Sequence, residues 1–598
     1  MDQKMMRRIS VLIASTNNTI CKTSQSTAIY LDDKTMVPFR FARCCCMAIA
    51  LTAAGCYGFL VVRPPSTAAG TRVSSPSLLH LAKPAQQQTT PQSETQSART
   101  PTMDEFHEQT AEAAHADLTS LNEPNNLTES TSISSTTHLA SNNALDICQD
   151  LQGNTLTVEY LTAALNLPPE VKVTAYSCPE SEAFRGFMSN GCRIYLHTSS
   201  LESKNNSYHT DHFPTTAFYK RVAFSSLDHA QEKLQKAPFK LLRDIRSYQV
   251  VAAFLNSQAR TLLLQHTTGL FIPECYHAQL QPNFNHPMES QFTFLLQDFH
   301  ETTAGWYQTW CLTDMDEVTA SLHVYAQLHA YFWQGSDFYR LHPDASHELT
   351  HAVWESGSYV QPSAQPAEQV HQVAAEWHRK RPKFRKHLEC YSFWDDLGTR
   401  LEHVASDVGR HAHPFATKDL DEEYHKYRTL THGDPKQANL FFRKPSHAHQ
   451  DTDNDRPVLD VGLVDFQWSG FGLAASDVAH FMASSVHADL LQQEDDILQY
   501  YYNQLQARLI QYGVYANQEQ ASREYSFETF LEQYETAILD LSRLVIAYTL
   551  ERFTEAVDKS DSEEKKARTR NQTSYNKSIP NLVWLVTKCD AILKKRGI

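Results

Sequence analysis

The sequence lacks a surplus of positive charge. Its 598 residues contain 53 Lys and Arg against 68 Asp and Glu, which gives a formal net charge of −15. Proteins that bind DNA or RNA in general use such cations to neutralise phosphates. The composition therefore excludes that class, and we expect no nucleic-acid partner.

Paired cysteine motifs are also missing. Five of the twelve Cys lie in the first 56 residues, the others are scattered, and no CxxC pair occurs. This pattern predicts neither a zinc ribbon nor a disulfide framework. It is typical of reduced, buried thiols in an intracellular protein. The scattered residues are Cys148, Cys178, Cys192, Cys275, Cys311, Cys390 and Cys589.

One uncharged run has the length that crosses a bilayer. Residues 44–62, CCCMAIALTAAGCYGFLVV, form 19 uncharged residues between Arg43 and Arg63, and about 20 apolar residues span the hydrocarbon core as a helix. Three interpretations are open: a membrane tether, part of a cleaved organelle-targeting segment, or an apolar stretch in a disordered tail. Residues 1–43 would then form an N-terminal tail that could carry a targeting signal.

The composition and periodicity of the chain change at about residue 150. Residues 63–150 are rich in Ser, Thr, Gln, Pro and Ala without sustained periodicity, which predicts a disordered linker. Strand-like patterns follow and then give way to helical ones. This order predicts an α+β chain with a small β-rich N-lobe at 151–300 and a larger, mainly helical C-lobe at 301–598.

Periodicity predicts individual elements in both lobes. In the N-lobe we expect helices at 156–165 and 240–259, and a polar loop at 197–214. Strands are predicted at 171–178, 185–196, 215–224, 271–280 and 291–299, and C-lobe helices at 321–333, 496–513 and 527–553, with a loop at 444–457.

The strongest chemical signal is a pair of motifs, THGDPKQANLFF (431–442) and VGLVDFQWSG (461–470). Two short apolar strands would form a hairpin that gathers Asp434, Asn439 and Asp465 at one end. Phosphoryl transfer uses such a set: a carboxylate for the hydroxyl, oxygen ligands for Mg²⁺ and a cation for the phosphoryl charge. The alternative is that these side chains only make turns and end strands.

These motifs resemble those of choline-kinase-like and aminoglycoside-phosphotransferase-like small-molecule kinases, and the ecdysteroid-kinase-like branch is the closest. QLHAYFW (327–333), WESGSYV (354–360) and DVAHFM (477–482) are also similar to family segments. The resemblance covers roughly residues 156–590. It implies a two-lobed, protein-kinase-like fold and an enzyme that uses ATP and Mg²⁺ to phosphorylate a small hydroxylated molecule.

The resemblance also implies roles for the motif residues. Asp434 would be the catalytic base, and Asn439 and Asp465 the Mg²⁺ ligands. Lys436 would contact the γ-phosphate, or it is a solvated surface lysine. Asp477 would either brace the catalytic hairpin or serve as a helix N-cap.

Nucleotide-binding residues are predicted in the N-lobe. Gly186 and Gly191 flank a turn that would cover the nucleotide, although glycines are common in β-turns. Lys220 stands in the place of the strand lysine that holds the α- and β-phosphates, or it is an edge-strand lysine. Gln297 lies in the segment that resembles the adenine-contacting hinge.

One position departs from the family pattern. The family pairs the strand lysine with a helix Glu, but RSYQVVAAFL carries Val251 at that position. This substitution permits a second hypothesis, a pseudokinase that binds nucleotide or a partner without turnover.

A third hypothesis is a zinc hydrolase. HELTH (347–351) fits the HExxH pattern, in which His347 and His351 would bind Zn²⁺ on one helix face with Glu348 as general base. A third ligand is not obvious, and Glu368 and Glu376 are the candidates. Solvated helix residues are the simpler interpretation of this motif.

The spacing between the motifs bears on the size of the substrate. Only a short segment, WSGFGLAAS, separates DFQ from Asp477. It leaves little room for the long activation loop and peptide platform of protein kinases. A small-molecule substrate is therefore favoured over a protein.

Overall fold

The computed structural model describes residues 147–598, except 180–181, 186–187, 201–212, 300–304, 310, 362–363, 366–370, 417–418, 446–456 and 556–576. The predicted tail at 1–43, the apolar run at 44–62 and nearly all of the predicted linker lie outside these residues. Within the described part of the chain, no helix combines the length and the apolar character that crossing a bilayer requires.

An antiparallel sheet forms the first half of the described chain. The strands are β1 Val171–Ser177, β2 Ala183–Arg185, β3 Asn190–Ser200, β4 Thr216–Ala223, β6 Cys275–Gln281 and β7 Gln291–Gln297, with a short β5, Leu270–Phe271, in a separate sheet. Their order in the sheet is β1-β3-β4-β7-β6, and β2 pairs with β3. Alternating apolar residues bury one face, as in Val171 and Val173 of β1.

Four helices accompany this sheet. They are α1 Val158–Ala164, α2 Asp228–Lys236, α3 Pro238–Leu255 and α4 Gln258–His266. The longest, α3, begins with a proline at its first turn, a position where the missing N–H costs nothing. The Ser257 side chain accepts from the Arg260 N–H and caps α4, so the chain turns directly from one helix into the next.

The second half is mainly helical and contains four short strands: β8 Arg428–Thr431, β9 Leu440–Arg443, β10 Asp460–Leu463 and β11 Gly470–Leu473. Strand β10 pairs with β9 and, in parallel, with β5, which makes a three-stranded sheet, whereas β11 pairs with β8. The helices are α5 Met315–Tyr331, α6 Asp337–Leu341, α7 Pro343–Ala352, α8 Val373–Lys380, α9 Arg385–Leu388, α10 Leu397–Ala412, α11 Asp421–Tyr424, α12 Ala474–Ser485, α13 Glu494–Gln511, α14 Gln518–Glu524, α15 Phe527–Leu544 and α16 Ile579–Lys595.

The predicted two-lobed α+β architecture is confirmed, with local differences. The strand predicted at 185–196 is divided into β2 and β3, and the one predicted at 271–280 is divided into β5 and β6. Strand β3 continues to Ser200, into the segment predicted as a loop. The helix predicted at 527–553 ends at Leu544 and continues as a π-helical turn, Val545–Thr549. The Lys380 ammonium donates to the carbonyls of Ile546 (3.2 Å) and Ala547 (2.9 Å), and a side chain that takes up these carbonyls disrupts the helical ladder.

A buried ionic cluster connects α15 to the segment before α8. Asp540 accepts from Arg543 at 2.8 Å and from His413 at 3.0 Å, and Arg543 also donates to the Val360 carbonyl at 3.2 Å. Burial would raise the pKa of Asp540, but the Arg543 charge and the His413 bond outweigh it and lower the pKa. The cluster fixes Val360, which ends the WESGSYV segment.

We expect Asp540→Ala to destabilise the protein by about 3–5 kcal/mol, because it leaves Arg543 as an uncompensated buried charge. Chemical denaturation followed by circular dichroism measures this change. Glu232→Ala, which breaks the exposed Glu232–Lys236 pair, is the matched control and should leave the transition unchanged. Equal effects of the two substitutions would contradict a special role for the buried cluster.

Candidate active site

The loop between β8 and β9 brings together three of the predicted site residues. Asp434 is buried, and the Lys436 ammonium donates to its carboxylate. The Asn439 side-chain amide donates to the Asp434 carbonyl at 2.9 Å. Lys436 is therefore not a solvated surface lysine: it lies 9% exposed against the carboxylate.

Asp465 faces this loop from the end of β10 and contacts the N-lobe. Its backbone is left-handed, with φ +68°, a conformation that is uncommon for non-glycine residues and that Asp adopts more readily than most. Its carboxylate lies 3.1 Å from the ammonium of Lys220 on β4. The Lys220 side chain therefore points toward the C-lobe motif. Its strand, β4, lies between β3 and β7, so Lys220 is not an edge-strand lysine.

Asp477 braces the loop that carries Asp434. Its carboxylate accepts the backbone N–H groups of His432 (2.6 Å) and Gly433 (3.0 Å), and the His329 ring lies at 3.2 Å. Burial alone would raise the pKa of Asp477, but its hydrogen bonds and charge interactions with His329 and His432 together outweigh burial, so the pKa falls below its usual value. The N-cap of α12 is Leu473, and the alternative role of Asp477 as a cap is therefore wrong.

His432 and Gly433 shape the loop without reaching outward. The His432 ring donates to the Val464 carbonyl at 3.0 Å and packs on Phe466 at 4.7 Å. Burial lowers its pKa, which keeps the ring neutral. Gly433 has φ +80°, and a Cβ there would lie 2.1 Å from the Trp468 carbonyl oxygen. Only glycine fits this turn.

Other groups stand near Lys220 in place of the missing helix carboxylate. Val251 is buried in α3, and Asp244, about two turns earlier in the same helix, pairs instead with Lys233. The Lys220 ammonium lies 5.6 Å from the centre of the Tyr248 ring, and the Tyr248 hydroxyl donates to the Met188 carbonyl at 2.9 Å. Tyr248 thereby links α3 to the turn between β2 and β3.

The structure describes two of the three remaining residues that were predicted to bind the nucleotide. Gly191 pairs with Lys220 across β3 and β4, and a Cβ there would lie 2.6 Å from the Phe218 ring. Gln297 ends β7, and its side-chain oxygen accepts the Glu274 N–H at 3.2 Å. Gly186 lies outside the described residues.

The sequence patterns did not indicate two further residues near Asp434. His480 of α12 is buried, with its Nε2 3.9 Å from the Asp434 carboxylate, and burial lowers its pKa to about 4. Burial and the charges of Arg552 and Lys436 lower the pKa of Lys577 to about 8. His480 lies within DVAHFM, a segment that supports the family resemblance without assigning a role to the histidine, whereas no local pattern distinguishes Lys577.

The HELTH motif lies on the surface of α7. The His347 and His351 rings are exposed and contact each other at a tilt of 38°, with centroids 4.4 Å apart. Glu348 accepts the Gln258 N–H at 3.3 Å, and Glu376 pairs with Arg379 and Lys380. In the described residues no third metal ligand joins the two imidazoles, and Glu368 lies outside them.

Comparisons with solved structures find similar chains at very low identity. They include a microcompartment-associated aminopropanol kinase (11% identity, 74% of this chain and 98% of that chain, TM-score 0.29) and Plasmodium vivax ethanolamine kinase (9%, 72% and 84%, TM-score 0.30). An amicoumacin kinase in complex with AMP-PNP, Ca²⁺ and Ami is similar at 9% (70% and 89%, TM-score 0.29). These scores are too low to support an argument.

The family comparison is stronger. No curated protein matches the chain significantly, but the sequence model of the ecdysteroid kinase-like family matches residues 186–514. This range contains the loop of Asp434, the turn of Asp465 and the strand of Lys220, and it confirms the resemblance drawn from the motifs. Because the match spans more than half of the sequence, the chain belongs to the ecdysteroid kinase-like family.

Proposed function

We propose that this protein is an ATP- and Mg²⁺-dependent phosphotransferase that acts on a hydroxyl group of a small molecule. The observation that carries the proposal is that two groups of polar residues lie next to each other. Asp434, Lys436 and Asn439 share one buried loop, and the Lys220–Asp465 ion pair joins the two lobes beside it. Phosphoryl transfer depends on such positioning and electrostatics.

Asp434 would accept the proton of the substrate hydroxyl. As the hydroxyl oxygen attacks the γ-phosphorus in line, the bond to the β-phosphate oxygen breaks and ADP leaves. The Lys436 ammonium already contacts the Asp434 carboxylate, so it can stabilise charge on the transferred group. The neutral His480 ring, 3.9 Å from the same carboxylate, would line the acceptor side.

Asn439 and Asp465 fit the requirements of a Mg²⁺ site. The Asn439 amide nitrogen donates to the Asp434 carbonyl, which directs its side-chain oxygen away from that bond. The Asp465 carboxylate is 24% exposed, so solvent and a ligand can reach it. Both residues offer oxygen, the ligand atom that Mg²⁺ prefers. When bound, the ion supplies charge neutralisation at the phosphates.

Lys220 would contact the nucleotide phosphates without a helix carboxylate. Asp465 and the Tyr248 ring hold its ammonium at the cleft, and the Tyr248 hydroxyl holds the adjoining turn at Met188. This arrangement supports turnover despite Val251.

The pseudokinase is the second candidate. It is favoured by Val251 alone, because a lysine without its helix Glu is a feature of a degraded nucleotide site. Retention of Asp434, Asn439 and Asp465 together favours the active enzyme.

Asp434→Asn should lower kcat at least about 100-fold, because proton transfer to a positioned base contributes 10²–10⁴-fold, while nucleotide binding stays near the wild-type value. Phosphate transfer from labelled ATP to pools of alcohols, amines, sugars and sterols measures turnover, and thermal shift measures binding. Asp489→Asn, at a side chain that is 92% exposed, is the control. Wild-type turnover in Asp434→Asn would refute the assignment.

Asp465→Ala should abolish the Mg²⁺-dependent part of nucleotide binding, because it removes the charged oxygen ligand. Isothermal titration with AMP-PNP, with and without Mg²⁺, separates that part from the rest. Asp495→Ala, at an exposed residue of α13, should behave as wild type. An unchanged Mg²⁺ effect in Asp465→Ala would place the metal elsewhere.

Lys220→Met should weaken the binding of Mg²⁺-AMP-PNP about 10- to 100-fold, the value of one lost charge-assisted hydrogen bond. Lys172→Met, at an exposed position of the neighbouring β1, provides the control. If wild type and Lys220→Met bind the nucleotide equally well, Lys220 plays no part in the nucleotide site. Tight binding by wild type without transfer to any pool would favour the pseudokinase.

A further inference from the structure

Three cysteines from separate segments meet in the N-lobe. Cys148 precedes α1, Cys178 follows β1, and Cys192 lies in β3. Their sulphur atoms all lie within 4.8 Å of one another, and those of Cys148 and Cys192 are 3.1 Å apart. No other group of three Cys, His, Asp or Glu ligands is this close in the described part of the chain.

The sheet and its preceding segment create this meeting. Residue 192 pairs with Tyr219 across β3 and β4, and the Tyr219 hydroxyl donates to the Gln149 carbonyl at 2.8 Å. The Leu156 N–H donates to the Cys148 carbonyl at 3.0 Å and closes the segment into a loop. Cys148 is thereby held against the sheet beside Cys192.

The cluster combines burial with access. Cys148 and Cys192 are buried among apolar residues, whereas Cys178 is half-buried. The thiolate is the form of cysteine that binds metals. The half-buried residue gives an ion a route from solvent.

We propose that Cys148, Cys178 and Cys192 form a three-thiolate site for a thiophilic divalent metal ion, Zn²⁺. A Zn–S bond of about 2.3 Å with tetrahedral angles separates the sulphurs by about 3.8 Å. The observed spacing, 3.1 Å for one pair and at most 4.8 Å for the others, brackets this value. The fourth position would hold a water molecule on the side of Cys178.

Binding involves no redox change. Three S–H bonds lose their protons to solvent as three Zn–S bonds form, so affinity falls as pH falls. Because the native sheet assembles the three sulphurs, the ion binds the folded state and stabilises it. This site is independent of the proposed phosphotransferase reaction.

The location of the site gives it a structural consequence. Residue 191, directly before Cys192, pairs with Lys220. An ion at the cluster would fasten the loop that contains Cys148 to the strands that carry the nucleotide turn and the strand lysine.

We expect the full chain, purified without chelators, to contain about one zinc ion per molecule. Cys178→Ser should lose this zinc. Cys275→Ser, at a half-buried cysteine of the same sheet outside the cluster, should retain it. Elemental analysis gives the stoichiometry. A full chain with Cys44, Cys45 and Cys46 changed to Ser should also retain the zinc, which excludes those thiols as its ligands.

A second measurement does not depend on the folding of a cluster variant. Cobalt added to the stripped chain with Ser at 44–46 should produce the thiolate-to-cobalt charge-transfer absorption, and zinc should displace it. Absence of both zinc and this absorption would overturn the proposal. A native mass lower by two hydrogen atoms, with a mapped Cys148–Cys192 disulfide, would overturn it in favour of a redox pair.

Discussion

The buried carboxylate of Asp477 is the constraint on which the active-site geometry depends. It accepts two consecutive backbone N–H groups, those of His432 and Gly433, and a third bond from His329. A buried charge is stable only when hydrogen bonds or opposite charges compensate it. The three donors to Asp477 therefore hold the loop in position. Asp434 is the next residue after Gly433, so its position depends on these hydrogen bonds.

The hydrogen bonds of Asp477 also connect the loop of Asp434 to the helices of the C-lobe. His329 belongs to α5, and its other ring nitrogen lies 2.7 Å from the Tyr501 hydroxyl of α13. The His432 ring packs on Phe466, which in turn packs on Phe254 of α3 at 4.6 Å. A continuous line of packed groups therefore runs from the C-lobe core through the loop that carries Asp434 to the N-lobe helix.

Local patterns predicted most of this architecture. Alternation predicted the strands of the N-lobe, and the HGD and DFQ motifs indicated the loop and the turn that the structure places side by side. What they missed depends on tertiary contacts. The end of α15 is set by the ammonium of Lys380, which is distant in sequence. The absence of CxxC excluded local metal motifs but not a cluster assembled from three segments. Lys577, whose pKa is lowered partly by the charge of Lys436, is distant from that residue in sequence.

The Lys220–Asp465 pair has a consequence for binding energetics. In the structure the Lys220 ammonium and the Asp465 carboxylate form an ion pair at 3.1 Å. Each side chain therefore competes with any ligand that binds to the other. Phosphates that recruit Lys220, or a cation that recruits Asp465, must first separate the two charges. Ligand binding is then an exchange of partners, and its net free energy is the free energy of the new interactions with the ligand less that of the ion pair which they replace.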